Sequence, residues 1–428
     1  VRLVGDISHQ SPAGNHQDNR SRTPPMIKQG LLLLCCLTGT LVWGREPTEG
    51  DVNLDQHLKF LSSSRYPIDQ NENSREKIQD HIKDSFMRSG LKRVEHRFNT
   101  TVRDEDGQDV VVEGINIIGI NEHSSDKMGA VLLVAADYDS ARPMCSGSCL
   151  ELFQNNGVGV AAMLEIARLF DHNSRFSGDW RSDLTTIFVA FDINTKEHLP
   201  GSPGEQGSKI FLREWLWPYL NENKELFGGA FILDSISKLN YENSSQKLHS
   251  NFQKAFPSAY ERISARGKKG DFLAMLNNGD ETTATLMDQF KMQYELKLRK
   301  KLPFTLEELE LEGRPGAVLE YLNHQAHYNF WTFKDNENKA VPLPALLLTD
   351  TENERSLPDT EACNGKLCNE LKEYMDDDRR EFVEATINGV VSTLLQRQSH
   401  RIEHNGGMKA VPSIMVSLLL VLIAKLLR

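Results

Sequence analysis

The stretch VLLVAADYDS, Val131 to Ser140, joins an apolar run of strand-forming residues to two aspartates that flank a tyrosine. A strand that is apolar at every position, rather than at alternate ones, is covered on both faces. That is the habit of strands in parallel sheets flanked by helices. In such sheets ligands bind outside the carboxyl ends of the strands. Asp137 and Asp139 therefore stand where a catalytic or binding strand end is expected.

Working outward, VVVEGINIIGI (Val110 to Ile120) is a β-branched strand and GVGVAAMLEIARLF (Gly157 to Phe170) has helical spacing with glycines at its start. LTTIFVAF (Leu184 to Phe191), GGAFILDSI (Gly228 to Ile236) and PLPALLLTD (Pro342 to Asp350) read as further buried strands. FLREWLWPYL (Phe211 to Leu220) and Glu370 to Gln396 read as helices, and Asp55 to Gly90 as helical with a polar turn around Ser62 to Asn73. Lys238 to Lys301 receives no element. No repeat of solenoid or propeller period is visible. Strands alternating with helices predict an α/β fold, a mostly parallel central sheet with helices on both faces. The strand exits then carry Asp137 and Asp139, Asp192 and Asn194, Asp234, and Asp350.

The chain has 428 residues, 39% apolar and 25% charged, which is globular composition rather than disordered or fibrous. A net charge of −11 argues against a phosphate-binding surface, and the only dense basic run, Lys297 to Lys301, reads as a solvated helix face. No nucleic-acid partner is expected.

The ends carry addresses. Residues 1–25 are polar and patternless and read as a non-native or untranslated leader. Residues 26–44 (MIKQGLLLLCCLTGTLVWG) have the lysine, apolar core and small residues of a secretory signal cleaved before Arg45. Residues 45–399 form a single domain, and 400–428 a spacer with an apolar tail, Val411 to Ala424, preceded by Asn405, Gly406 and Gly407. This layout suits a glycolipid-anchor signal, with a short tail anchor as the alternative. The expected location is the secretory pathway, at the cell surface or extracellular face of a membrane. In that oxidising setting Cys145 with Cys149 and Cys363 with Cys368 are expected as two short-loop disulfides, their spacing being unlike that of a zinc knuckle. Asn99 (NTT) and Asn243 (NSS) are glycosylation sequons.

The series NIIGI, ADYDS, NNGVGVAAMLEIARLF, FVAFD, FILDSI and PALLLTD resembles the co-catalytic zinc aminopeptidases, peptidase family M-twenty-eight, which also contains the glutaminyl cyclases and the transferrin receptor ectodomain. The resemblance spans Asp55 to Gln396 and implies a phosphorylase/hydrolase-like fold. It also implies two zinc ions held by a histidine, a shared aspartate, a Glu-Glu pair, a later aspartate and a late histidine, with one glutamate activating the bound water.

Here those positions are edited. Asp137 replaces the first histidine, Asn155 the shared aspartate, and Asn194 and Thr195 the glutamate pair, with Glu197 nearby. Gly365, or Arg355 on another alignment, replaces the late histidine. Asp234 keeps its type, and Asp139 and Asn156 match the residues behind the ligands. An amide cannot bridge two cations as a carboxylate does, and loss of a general base alone costs about 10²- to 10⁴-fold in rate.

The expectation is therefore a binding or interaction ectodomain, without cofactor, for a peptide or protein ligand, tethered to a membrane through its C-terminal anchor. The alternative is an active zinc aminopeptidase or glutaminyl cyclase using Glu197, Asp137 and Asp234. A calcium site at Asp137, Asp139, Asp192 and Asp234 is the less favoured reading beside carboxylates bonded to loop amides and lysines. His324 and His327 could meet a metal by spacing. By the resemblance, however, His327 matches a pocket-wall histidine. Trp215, Trp217 and Trp331 read as core aromatics.

Overall fold

The structure, a computed structural model, describes residues 53–68, 72–104, 106–122, 129–140, 156–176, 184–194, 204–297, 303–312, 325–356 and 375–405. Outside them lie the segments expected as leader and signal, the apolar tail, all four candidate disulfide cysteines, Asn155, Thr195, Glu197, His324 and Gly365.

The elements are α1 (Leu54–Leu61), α2 (Glu72–Arg88), β1 (Lys92–Arg103), β2 (Asp109–Asn121), β3 (Ala130–Asp137), α3 (Val158–Phe176), β4 (Leu184–Phe191), α4 (Gly207–Phe211), α5 (Trp217–Asn223) and β5 (Leu226–Asp234). Then follow α6 (Ser250–Ala255), α7 (Pro257–Ala265), β6 (Phe272–Asn277), α8 (Glu281–Lys297), β7 (Thr305–Glu310), α9 (Ala326–Trp331), β8 (Ala345–Thr349) and α10 (Asp377–Asn405). All strands join one 8-stranded mixed sheet in the order β1-β2-β4-β3-β5-β8-β6-β7.

The apolar runs behave as expected. β3 pairs in parallel with β4 and with β5, and β5 in parallel with β8. These four form the centre of the sheet, and β4 is buried at every position. Long-range pairing adds what short patterns did not carry. β1 and β2 extend one side antiparallel, and β6 joins antiparallel to β8 while pairing in parallel with β7. The segment Lys238 to Lys301, which received no element from the sequence, contains α6, α7, β6 and α8. The helix expected over Phe211 to Leu220 is instead α4, a π turn over Leu212–Leu216, and α5. Pro218, in the first turn of α5, has no N–H to give to the preceding turn, and the helix widens there.

Two cores sandwich the sheet. One face packs Leu132, Val134 and Phe231 against α1, α2, α3, α8 and α10 through residues such as Leu58, Ile82, Leu164, Phe290 and Val390. The other packs Leu133, Val189 and Ile232 against α4, α5, α6, α7 and α9 through Phe211, Leu220, Phe252, Ile263 and Phe330. Trp331 is buried in the second core with its indole N–H on the Ala345 carbonyl at 2.9 Å, while Trp215 and Trp217 pack at its margin. Among the described residues no helix is long and apolar enough to cross a membrane.

Candidate functional site at the strand exits

The chain leaves the central strands through backbone that L side chains rarely adopt. Ile193 after β4, Ser235 after β5 and Thr351 after β8 have φ of 48°, 49° and 71°, and Asn156 at the mouth of α3 has 57°. Left-handed geometry is costly for β-branched residues such as Ile193 and Thr351, and such strain concentrates where a fold builds a site. Glycines permit the close approach of the helices that follow. A Cβ on Gly159 would lie 1.9 Å from Asn156 Oδ1, and one on Gly207 would lie 2.0 Å from the Asp192 carbonyl.

The side chains at these exits bond mainly to one another. Asn194 Nδ2 donates to Asp137 Oδ2 at 2.8 Å, and Asn194 Oδ1 accepts from Ser208 Oγ at 2.5 Å and Ser208 N at 3.2 Å. The Asn194 N–H donates to Asp139 Oδ1 at 3.1 Å. Asn329 of α9 donates to both Gln206 Oε1 and Ser208 Oγ at 2.8 Å, so the chain of bonds runs from α9 through α4 to the end of β3. Asn156 bridges β3 and β5. Its Nδ2 donates to the carbonyls of Leu233 and Asp137, and its Oδ1 accepts the Ser235 N–H.

One atom stands out. Asp137 Oδ1 is buried with no hydrogen-bond partner among the described residues, and burial, followed by the charge of Asp139, pushes the Asp137 carboxyl up to about 8 against the pull of Asn194. At neutral pH it is mostly a neutral acid, because an isolated carboxylate is costly away from water. Asp234 is buried at the end of β5. Asp350 is fully buried and takes the N–H groups of Ser237, Lys238 and Glu352.

Asp192 does not share this rim. It faces α2, where its Oδ2 accepts from Arg75 at 2.5 Å, Tyr138 at 2.7 Å and the Ile115 N–H at 2.8 Å. His327 is fully buried with neither ring nitrogen partnered among the described residues, its ring edge-on to Trp331 at 4.5 Å, and burial holds it down to about 3. Arg355, one of the two residues at the late-histidine position, is buried and donates to the carbonyls of Lys238 and Phe272. Asn99 is exposed on β1 and Asn243 is exposed in a turn.

Among the described residues, those at the exits do not offer the donor set of the zinc pair that the sequence resemblance implies, and Asn155, Thr195, Glu197 and Gly365 lie outside the described residues. The carboxamides of Asn156 and Asn194 are engaged at both ends. Among the described residues no group of three or more His, Cys, Asp or Glu side chains lies close enough to hold a metal ion. Missing from the sequence reading were the roles of Gln206, Ser208 and Asn329: the first two follow Asn194 by 12 and 14 residues across a loop, and Asn329 comes from a separate helix, so only folding brings them together.

No family model matches the chain, and a comparison with curated proteins finds no match. Among solved structures the chain is similar to a Macrostomum lignano glutaminyl cyclase at 14% identity, over 80% of this chain and 88% of that one, with a TM-score of 0.46. It is similar to a Bacteroides thetaiotaomicron glutaminyl cyclase bound to N-acetylhistamine at 15% identity, over 80% and 97%, with a TM-score of 0.47. A leucine aminopeptidase precursor from the same bacterium matches at 14% identity, over 80% and 96%, with a TM-score of 0.46. These likenesses assign no activity and no residue to this chain.

Proposed function

We infer that the chain is a zinc-peptidase-like ectodomain that binds a peptide or protein ligand rather than hydrolysing one, tethered to a membrane by the apolar run at Val411 to Ala424. The observation that carries this reading is Asn194. At the position where the resembled family places its general base, this chain has a carboxamide, with its nitrogen on Asp137 and its oxygen taking two bonds from Ser208. A carboxamide has no proton-accepting lone pair of useful basicity, and both of its ends are engaged. The second reading, a metal-dependent aminopeptidase or cyclase, draws support from Asp137 Oδ1, which has no hydrogen-bond partner among the described residues.

Metal content separates the two. The protein is soaked in zinc, desalted and assayed by mass spectrometry. Less than about a tenth of an equivalent is expected, since a site without a closed donor set does not retain zinc. Retention of one to two equivalents, lost in Asp234→Ala, would overturn the binding reading and make peptide hydrolysis the next assay.

A further inference from the structure

Away from the strand exits, α1 is fastened to the domain by a chain of three buried ionisable groups. His57 of α1 lies between Glu165 of α3 and His81 of α2, with Nε2 3.0 Å from Glu165 Oε1 and Nδ1 2.9 Å from His81 Nε2. Glu165 is fully buried, both histidines are buried, and Phe60 stacks on the His81 ring at 4.0 Å. The other oxygen of Glu165 accepts the N–H of Asn53, the residue that opens α1.

This order of groups fixes where the protons sit. A carboxylate only accepts, so His57 carries its proton on Nε2. Its Nδ1 is then a lone pair that must receive the Nε2 proton of His81. With these tautomers a proton on His57 Nδ1 would set two N–H groups against each other across 2.9 Å, so the open position for an added proton is Nδ1 of the buried His81.

The surroundings do not favour positive charge. Arg168 of α3 already pairs with Glu165 at 2.6 Å, and Arg88 of α2 bears on His81. On the outer side of α1, Asp55 pairs with Arg380 of α10 at 2.7 Å, an exposed contact, and Lys59 sits in the last turn. With eight residues, α1 is too short to hold its helix once undocked.

The chain beyond α1 leads to the exit of β3. Arg65 is fully buried and donates from its backbone to Ser140 Oγ at 3.1 Å, from Nε to the Tyr138 carbonyl at 2.6 Å, and from Nη1 to the Leu61 carbonyl at 2.5 Å. We propose that α1 is an acid-released clasp, in which proton uptake by His81, behind His57, undocks residues 54–61 and loosens the Arg65 anchor on the exit of β3. The proposal does not depend on what the exits bind.

Burial, then His57 and Arg88, hold His81 down to about 4, whereas the unfolded imidazole titrates near 6.5. Neutral His81 thus stabilises docking above about 6.5, and that stabilisation is lost as pH falls toward 4. Burial would raise Glu165, but His57, Arg168 and the Asn53 N–H bring it down to about 2, so it stays charged through this window.

Hydrogen–deuterium exchange of the full chain, corrected for the intrinsic pH dependence of exchange, tests the clasp. Between pH 7.5 and 5.0 the opening equilibrium of residues 54–61 is expected to rise about 30-fold, and residues 138–140 to follow, while the centre of β5 does not change. His81→Gln keeps an amide donor toward His57 without a titrating group and is expected to reduce the rise to less than about 3-fold. If that variant is already undocked at pH 7.5, His81→Asn serves in its place, since its shorter amide also carries a donor and no titrating group. Equal protection of the wild-type helix at both pH values, or an undiminished rise in the docked variant, overturns the clasp. A rise confined to residues 54–61 overturns the link to β3.

Discussion

Asp192 and Asp137 sit at neighbouring strand exits, where Asp137 of β3 pairs in register with Phe191, the last residue of β4. Asp192 points to the face covered by α2 and has both oxygens occupied, by Arg75, Tyr138 and the N–H groups of Ile115 and Ile193. Asp137 has one oxygen on Asn194 and the other buried with no partner among the described residues. The same residue type, about one strand spacing apart, is in one case a structural tie across three elements and in the other a neutral acid at a strained rim. Saturation, more than the mere presence of a carboxylate, separates the part of the exit that holds the fold from the part that can meet a ligand.

The largest expected effect breaks the saturated side. Asp192→Asn leaves the Arg75 guanidinium, mostly buried, without its counter-charge. Loss of one partner from a buried pair costs about 3–5 kcal/mol. Urea denaturation at pH 7 should show a midpoint lowered accordingly, with the slope unchanged. A loss below about 1 kcal/mol would mean that water compensates Arg75 and that the tie is weaker than its geometry.

Asp137→Asn addresses the unsaturated side. The unfolded carboxyl, near 3.8, has given up its proton across pH 5 to 8, while the folded one, at about 8, retains it. Wild-type stability therefore falls as pH rises through that window, with a ceiling of about 1.4 kcal/mol per pH unit from this group. The carboxyl keeps some contact with solvent, so about 2 kcal/mol over the window is expected. The asparagine variant, unable to ionise, should gain that much relative to wild type between pH 5 and pH 8. A difference independent of pH would show that Asp137 is ionised throughout and paired with a group at the rim.

Much of the sheet was legible because its central strands are mainly apolar and run into an aspartate. Asp137 and Asp234 close β3 and β5, and Asp192 and Asp350 directly follow β4 and β8. The edges were not. β1 reads KRVEHRFNTTVR and β7 reads TLEELE, polar segments whose strand character comes from the neighbour they pair with. β6, FLAMLN, is short and apolar, and periodicity alone does not distinguish such a run from a buried helix turn.

At the site, residue types at the strand exits could be named from the sequence, but their bonding could not. Ser208, Asn329 and Asn194 meet only after α4 and α9 pack on one face. The split between Asp192 and Asp137 depends on Arg75, which comes from a helix that precedes both in the chain.

The smallest effect expected is that of Tyr138→Phe, which sharpens the same contrast. The Tyr138 hydroxyl lies 2.7 Å from Asp192 Oδ2 and 3.1 Å from the Ile115 carbonyl, and it accepts from Gln79 Nε2 at 2.8 Å. Removing it leaves Asp192 with Arg75 and two N–H groups, so the carboxylate stays satisfied, while the buried Gln79 donor loses its acceptor. A hydrogen bond to a charged acceptor is worth about 1.5–3 kcal/mol, and because the rest of the network survives the loss is expected at the lower end of that range. Burial, then the charge of Asp192, raise the phenol well above its ordinary range, so it carries its proton at every pH in the window. The loss in Tyr138→Phe should accordingly be the same at pH 5 and pH 8, whereas the gain in Asp137→Asn grows. Parallel pH dependence in the two variants would mean that the exits of β3 and β4 titrate as one network and that the division between a tied face and an open rim is wrong.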